Sequence, residues 1–173
     1  MMRKIKTYTG IGSRKTPKDI LAIMVCFGAT MAREGILLRS GGANGADAAF
    51  EAGCDAENGQ KQIFLPWRGF NGSTSKFYTA MEEAYEIASR IHPAWDRCQQ
   101  AAKKLHARNC HQILGPHLNE PSGVVVCWTP DGNIVGGTTT AVMLAEEHGI
   151  KVLNMAIQKD LVVIKEIIER YAV

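Results

Sequence analysis

The stretch Ile36-Leu37-Leu38-Arg39-Ser40-Gly41-Gly42-Ala43-Asn44-Gly45-Ala46-Asp47-Ala48-Ala49-Phe50 decides the reading of this chain. Residues 36–38 have strand character, 40–45 form a glycine loop, and an Ala-rich helix follows through Phe50 to Cys54. A strand, a tight loop and a helix in that order form one half of a parallel crossover. The same order stands upstream. Residues 4–8 predict a strand and 9–14 (Thr-Gly-Ile-Gly-Ser-Arg) a loop. Pro17 suits the first turn of a helix that carries Ile20, Leu21, Met24, Phe27 and Met31 inward and ends at Gly35. Downstream, 62–65 predict a third strand, closed by Pro66. Residues 67–115 read as mostly helical, with one helix over 74–91, a break at Pro93, and a second over 94–114. Residues 116–121 are turn-rich, and 123–128 (Gly-Val-Val-Val-Cys-Trp) predict a strand buried on both faces. The Gly136-Gly137 loop then opens a helix to His148, 151–155 give a last strand, and 161–171 a last amphipathic helix. The predicted fold class is α/β: a three-layer α/β/α sandwich around a mostly parallel sheet, in one domain.

Composition narrows the partners less. With 173 residues, 46% of them hydrophobic and 21% charged, the chain is too apolar for disorder. Its longest apolar-leaning run, 20–32, is shorter than the roughly 20 residues a bilayer requires. No charged n-region precedes an apolar h-region, so a soluble, cytoplasmic chain without a membrane partner is expected. A net charge of +3 permits nucleotides or nucleic acid and demands neither. The five cysteines (Cys26, Cys54, Cys98, Cys110, Cys127) are odd in number and form no C-x-x-C pair, which argues against a disulfide framework and a Cys-rich zinc site. His106 and His111 are spaced i, i+5, off a single ligand face, so the spacing predicts no metal site and no cofactor.

Three loops carry residues suited to anions. In Gly10-Ile11-Gly12-Ser13-Arg14 the glycines admit a ligand to the backbone, and Ser13 and Arg14 donate to an oxyanion; a plain tight turn uses the same residues. In Ser40-Gly41-Gly42-Ala43-Asn44-Gly45-Ala46-Asp47 the glycines precede a helix start, where N–H groups and the dipole favour anions. Asn44 is expected to cap that helix. Asp47 accepts from a sugar hydroxyl or simply compensates the dipole. The third loop, Asp131 to Gly136-Gly137-Thr138-Thr139-Thr140, is a backbone and hydroxyl cradle suited to phosphate, reached through Trp128 and Thr129. It is neither a Walker A motif nor a dinucleotide fingerprint. Threonines also cap helices, although three exceed that need. Two further segments supply donors and stacking surface. Lys104 and Arg108 share a helix face next to Asn109. Trp67, Arg68 and Phe70 lie in a glycine-rich loop, where they stack on a base or fill a subunit interface.

Taken together, Gly10-x-Gly12-Ser13-Arg14, Ser40-Gly41-Gly42-Ala43-x-Gly45-x-Asp47 and Gly136-Gly137-Thr138 before a helix resemble the SLOG superfamily. That group includes the LOG-type nucleotide phosphoribohydrolases, the DNA-processing protein A (DprA) family and the YspA-like proteins. The second loop is most similar to the DprA and YspA-like branches. Segments 65–72, 104–109 and 126–132 resemble a small branch of phage and bacterial proteins named by similarity to DprA. The resemblance implies a Rossmann-like sheet that binds nucleotides or nucleotide-like polymers at these loops, and a homo-oligomer joined through helices between residues 74 and 114.

In LOG-type enzymes an Arg on the helix before the fourth strand and a Glu after the glycine loop serve N-glycosidic cleavage. Arg108 matches the first. Val142 stands at the acidic position, Thr139 replaces a glycine, and Glu146 lies one turn further on, so the catalytic candidates are Arg108, Asp47 and Glu146. Three functions follow: binding of a nucleotide-like small molecule, hydrolysis of nucleoside 5′-monophosphates, and binding of single-stranded DNA.

Overall fold

The computed structural model describes residues 5–172. Five strands alternate with helices: β1 (Thr7–Gly10), α1 (Lys18–Arg33), β2 (Leu37–Ser40), α2 (Ala46–Ala56), β3 (Lys61–Ile63), α3 (Glu82–Ile91), α4 (Gln100–Leu114), β4 (Val124–Cys127), α5 (Thr139–Glu147), β5 (Lys151–Asn154) and α6 (Gln158–Arg170). The strands form one sheet in the order β3-β2-β1-β4-β5, and every pairing is parallel. The chain builds outward from β1 through β2 to β3, then returns to the other side of β1 for β4 and β5. The strand order therefore reverses between β1 and β4, where α/β sheets open a crevice beyond their carboxyl ends.

Both faces of the sheet are covered, which gives the expected three layers. On one side Tyr8, Leu38, Val126 and Leu153 pack with Met24, Phe27, Phe50 and Ile164 from α1, α2 and α6. The rings of Tyr8, Phe27 and Phe50 meet edge to face, with centroids 5.5, 6.2 and 6.3 Å apart. On the other side Val125 and Cys127 pack with Ala84, Ala107, Ile113 and Leu144 from α3, α4 and α5. Strand alternation sends Arg39 to that second face, where it is 1% exposed. Its guanidinium donates to Gln62 Oε1 (3.0 Å), Glu120 O (2.5 Å) and Ser122 Oγ (3.3 Å), so the buried charge is hydrogen-bonded rather than stranded.

Three sequence expectations are corrected. The first strand, expected over 4–8, runs Thr7–Gly10, so Gly10 closes the strand; residue 4 lies outside the described residues. The helix expected over 74–91 begins only at Glu82. Phe77 instead bridges Phe64 in parallel, its carbonyl accepting from Leu65 N–H at 2.7 Å, while Ser75 Oγ donates to Ile63 O at 2.5 Å. Pairing to the end of β3 overrides helix propensity there. The helix expected over 94–114 begins at Gln100, after a 3-10 turn at Trp95–Arg97.

Candidate functional site

The loops after β1, β2 and β4 meet at the carboxyl edge of the sheet and are bonded to one another. Beyond β1, Ile11 N–H donates to Val126 O and Ser13 N–H to Trp128 O, both at 3.1 Å. Between the first and second loops, Ser40 Oγ donates to Gly10 O at 2.6 Å and Ala46 N–H to Ser13 O at 3.4 Å. The glycines of these two loops make that packing possible. A Cβ at Gly10 would lie 2.6 Å from the Phe50 ring, and one at Gly12 would lie 2.8 Å from Ala46 Cβ. Gly45, at φ +83°, has Arg14 Cα 2.8 Å from where its Cβ would be. At these glycines neighbouring protein fills the space a side chain would take. Gly136 and Gly137 differ: both are exposed, and a Cβ at either would meet nothing within 4 Å.

Two successive residues of α4 hold this edge together. Arg108, 6% exposed, donates through Nη1 to Gly41 O and to Phe64 O (2.9 Å), and through Nε to Asn109 Oδ1 (3.0 Å). Its guanidinium carbon lies 5.8 Å from the Phe70 ring centroid. Asn109 Nδ2 in turn donates to Gly137 O at 2.5 Å. One helix thus fixes the ends of β2 and β3 with one side chain and the loop after β4 with the next.

Asp47 is 3% exposed and faces Arg108 across Gly41: a Cβ at Gly41 would sit 2.5 Å from Arg108 Nη1 and 2.7 Å from Asp47 Oδ2. Its Oδ2 accepts from Ala43 N–H at 3.3 Å. Burial pushes the Asp47 carboxyl up to about 6, opposed by the Arg108 charge and by backbone N–H donors. Burial likewise pulls the Arg108 guanidinium down to about 10, opposed by Asp47. At neutral pH both are therefore mostly charged. Asp47 closes the second loop from within, so it is not presented to a sugar hydroxyl as its place in the sequence suggested. Asn44 is exposed and makes no capping bond; Gly45 occupies the N-cap of α2.

The three threonines are also turned inward. Thr138 Oγ1 donates to Val135 O (3.4 Å) and Thr139 Oγ1 to Gly136 O (2.8 Å), while Thr140 Oγ1 pairs with His106 Nδ1 (2.9 Å). The hydroxyls shape the turn, and the glycine backbone is the part that faces outward. Thr129 is fully buried and bonded to the Asn154 amide (2.6 and 3.3 Å), and Trp128 is half-buried against the core. Asp131 is exposed at φ +55°.

Arg14, Trp67 and Arg68 are exposed, whereas Ser13 and Gly42 are half-buried. Trp67 meets Phe70 edge to face at 5.2 Å, and Arg68 lies 5.9 Å from the Tyr78 ring centroid. Asn71 Nδ2 donates to Gly42 O at 3.0 Å and ties this aromatic loop to the second loop. Trp67, Arg68 and Phe70 are the residues of this loop named from the sequence; Asn71 was missed, and only the Gly-Phe-Asn-Gly turn pattern was a signal for it. Glu146 is exposed near the far end of α5, about 10 Å along the axis from Thr139 at 1.5 Å per residue, so it is not brought to the rim. Val142 is buried.

No protein-family profile matches the chain, and no curated protein matches it. Among solved structures it is similar to the X-ray structure of DNA processing protein A (DprA) from Streptococcus pneumoniae, at 13% identity and a TM-score of 0.37. The similarity covers 92% of this chain, which spans 61% of the length of that structure.

Proposed function

We propose that this chain binds a phosphate-bearing, nucleotide-type ligand at the carboxyl edge of its sheet. The observation that carries the reading is the exposed Gly136-Gly137 turn. It sits at the start of α5, is held from behind by Asn109, and has open space where side chains would stand. Backbone N–H groups and the helix dipole at such a start favour an anion. On the separate loop after β3, Phe70 under Arg108 and the exposed Trp67 offer a stacking surface for a base.

Binding without cleavage is the better reading. Departure of a base from ribose needs a carboxylate beside the developing positive charge. Val142 occupies the expected acidic position, Glu146 is too far along α5, and Asp47 is closed in behind Gly41. A role as sensor or sequestering module fits these residues.

The test is a melting-temperature titration with AMP, GMP, CMP and UMP, followed by assay for free base. A ligand at a hundred times its Kd adds about 2.7 kcal/mol to stability, so at least one nucleotide raises the melting temperature. Gly137→Val is expected to fold normally, because its Cβ meets nothing, and to lose the shift. A shift that survives the substitution, or none across the panel, refutes the reading. Release of free base replaces binding by catalysis.

A second reading is single-stranded DNA, favoured by the exposed Trp67 beside the exposed cation Arg68, with Arg14 and Lys15 on the first loop. It predicts binding of an oligonucleotide that weakens steeply with salt.

A further inference from the structure

We propose that His92, Cys98 and His106 form a binding site for a divalent transition metal of the zinc class. The three come from separate segments: His92 caps the end of α3, Cys98 follows the 3-10 turn at Trp95–Arg97, and His106 lies inside α4. One potential ligand atom from each lies within 4.8 Å of the other two. Cys98 Sγ is 3.9 Å from His92 Nδ1, and the imidazole centroids of His92 and His106 are 4.2 Å apart. Around a tetrahedral zinc with bonds of about 2.0–2.3 Å, neighbouring ligand atoms stand roughly 3.3–3.7 Å apart. Side-chain adjustments of about 1 Å therefore close the set onto one ion.

Three features beyond proximity fit a metal. The donor set of one thiolate and two imidazoles suits zinc, cobalt or copper and is wrong for magnesium or calcium. His106 is already oriented: Thr140 Oγ1 engages its Nδ1 at 2.9 Å, which leaves Nε2 for the ion, the arrangement by which outer partners fix metal-binding histidines. Burial is graded, with His106 buried and His92 and Cys98 half-buried, so the site has a solvent-facing side for entry and for a fourth ligand such as water. The helical spacing that argued against a metal compared His106 only with His111 and missed a set assembled across a turn. The contacts without an ion are local ones: Ala94 N–H donates to His92 Nδ1 (3.0 Å) and Cys98 Sγ to Ala94 O (3.5 Å).

The consequence reaches the rim. An ion here ties segment 92–98 to α4, and through Thr140 to the first turn of α5. The site stands on its own residues and does not depend on the nucleotide reading.

The experiment is a cobalt(II) titration of the full chain after treatment with a chelator. The wild-type chain is expected to take one equivalent. It should develop the near-ultraviolet thiolate-to-cobalt band together with visible d–d bands of tetrahedral intensity. Cys98→Ser should lose the thiolate band, whereas Cys26→Ser, which removes an exposed thiol outside the cluster, should keep it. Zinc should raise the melting temperature of the wild type and of Cys26→Ser but not of Cys98→Ser. Absence of the band from folded wild-type protein, or its persistence in Cys98→Ser, overturns the proposal.

Discussion

Glycine does two different jobs at this edge, and the neighbouring atoms decide which. At Gly41 a methyl group would press on Arg108 Nη1 and Asp47 Oδ2, both buried and both bonded. Gly41→Ala is therefore expected to cost about 1–3 kcal/mol, the range for overpacking a filled site. Gly137→Ala should change stability by no more than about 0.5 kcal/mol, as exposed substitutions do; denaturant unfolding of the two variants checks the contrast. Asp47 adds a pH signature. Its folded-state pKa of about 6 lies above the ordinary 3.8, so the folded chain holds this proton more tightly than the unfolded chain. The associated stability is present below about pH 4 and is lost as pH rises through about 6. The melting temperature of Asp47→Asn, measured from pH 4 to pH 7, should lack that falling component. The sequence singled out the glycines, Asp47 and Arg108 by type and spacing. Their inward roles were not legible there, because composition reveals a residue's freedom but not the atoms its missing Cβ would face.

Helix α4 organises the site more than any single loop does. His106, Arg108 and Asn109 reach, in turn, the first turn of α5, the ends of β2 and β3, and the Gly137 carbonyl. Asn109→Ala removes two hydrogen bonds, its own to the Gly137 carbonyl and the one it accepts from the buried Arg108 Nε, so its global cost should be about 1–3 kcal/mol. Amide exchange at residues 137–140 should quicken, while amides of β1 and β4 keep their protection; hydrogen-exchange mass spectrometry separates the two. The five strands and six helices were legible because apolar runs and helical periods punctuated by glycine and proline survive without tertiary context. Residues 74–81 were not. Their pairing with the end of β3 is a contact between Phe64 and Phe77 that no local pattern encodes. The stretch 94–99 failed similarly, since a 3-10 turn carries the same apolar spacing over so few residues.

The sheet as a whole offers two opposite ends to a ligand. At the carboxyl end the loops after β1, β2 and β4 converge where the strand order reverses. At the amino end a groove of about 460 Å³ is lined by Lys6, Thr7, Glu34, Gly35, Ile36 and Gln60. The chemistry favours the rim, because parallel strands followed by helices place helix N-termini, with their N–H groups, at the carboxyl end. The sequence predicted a parallel sheet with its glycine loops along one edge. The return of the chain to the far side of β1 was not readable, because the long connection between β3 and β4 bears no mark of direction. Among the described residues no helix is long and apolar enough to cross a membrane. The most direct test is an amide chemical-shift titration of the isotope-labelled chain with AMP. A ligand at the rim shifts Gly136, Gly137 and Thr138 first, with Gly42 and Phe70 following and residues 34–37 unmoved. Shifts centred on Lys6, Glu34, Gly35 and Gln60, with Gly136 and Gly137 silent, would contradict it.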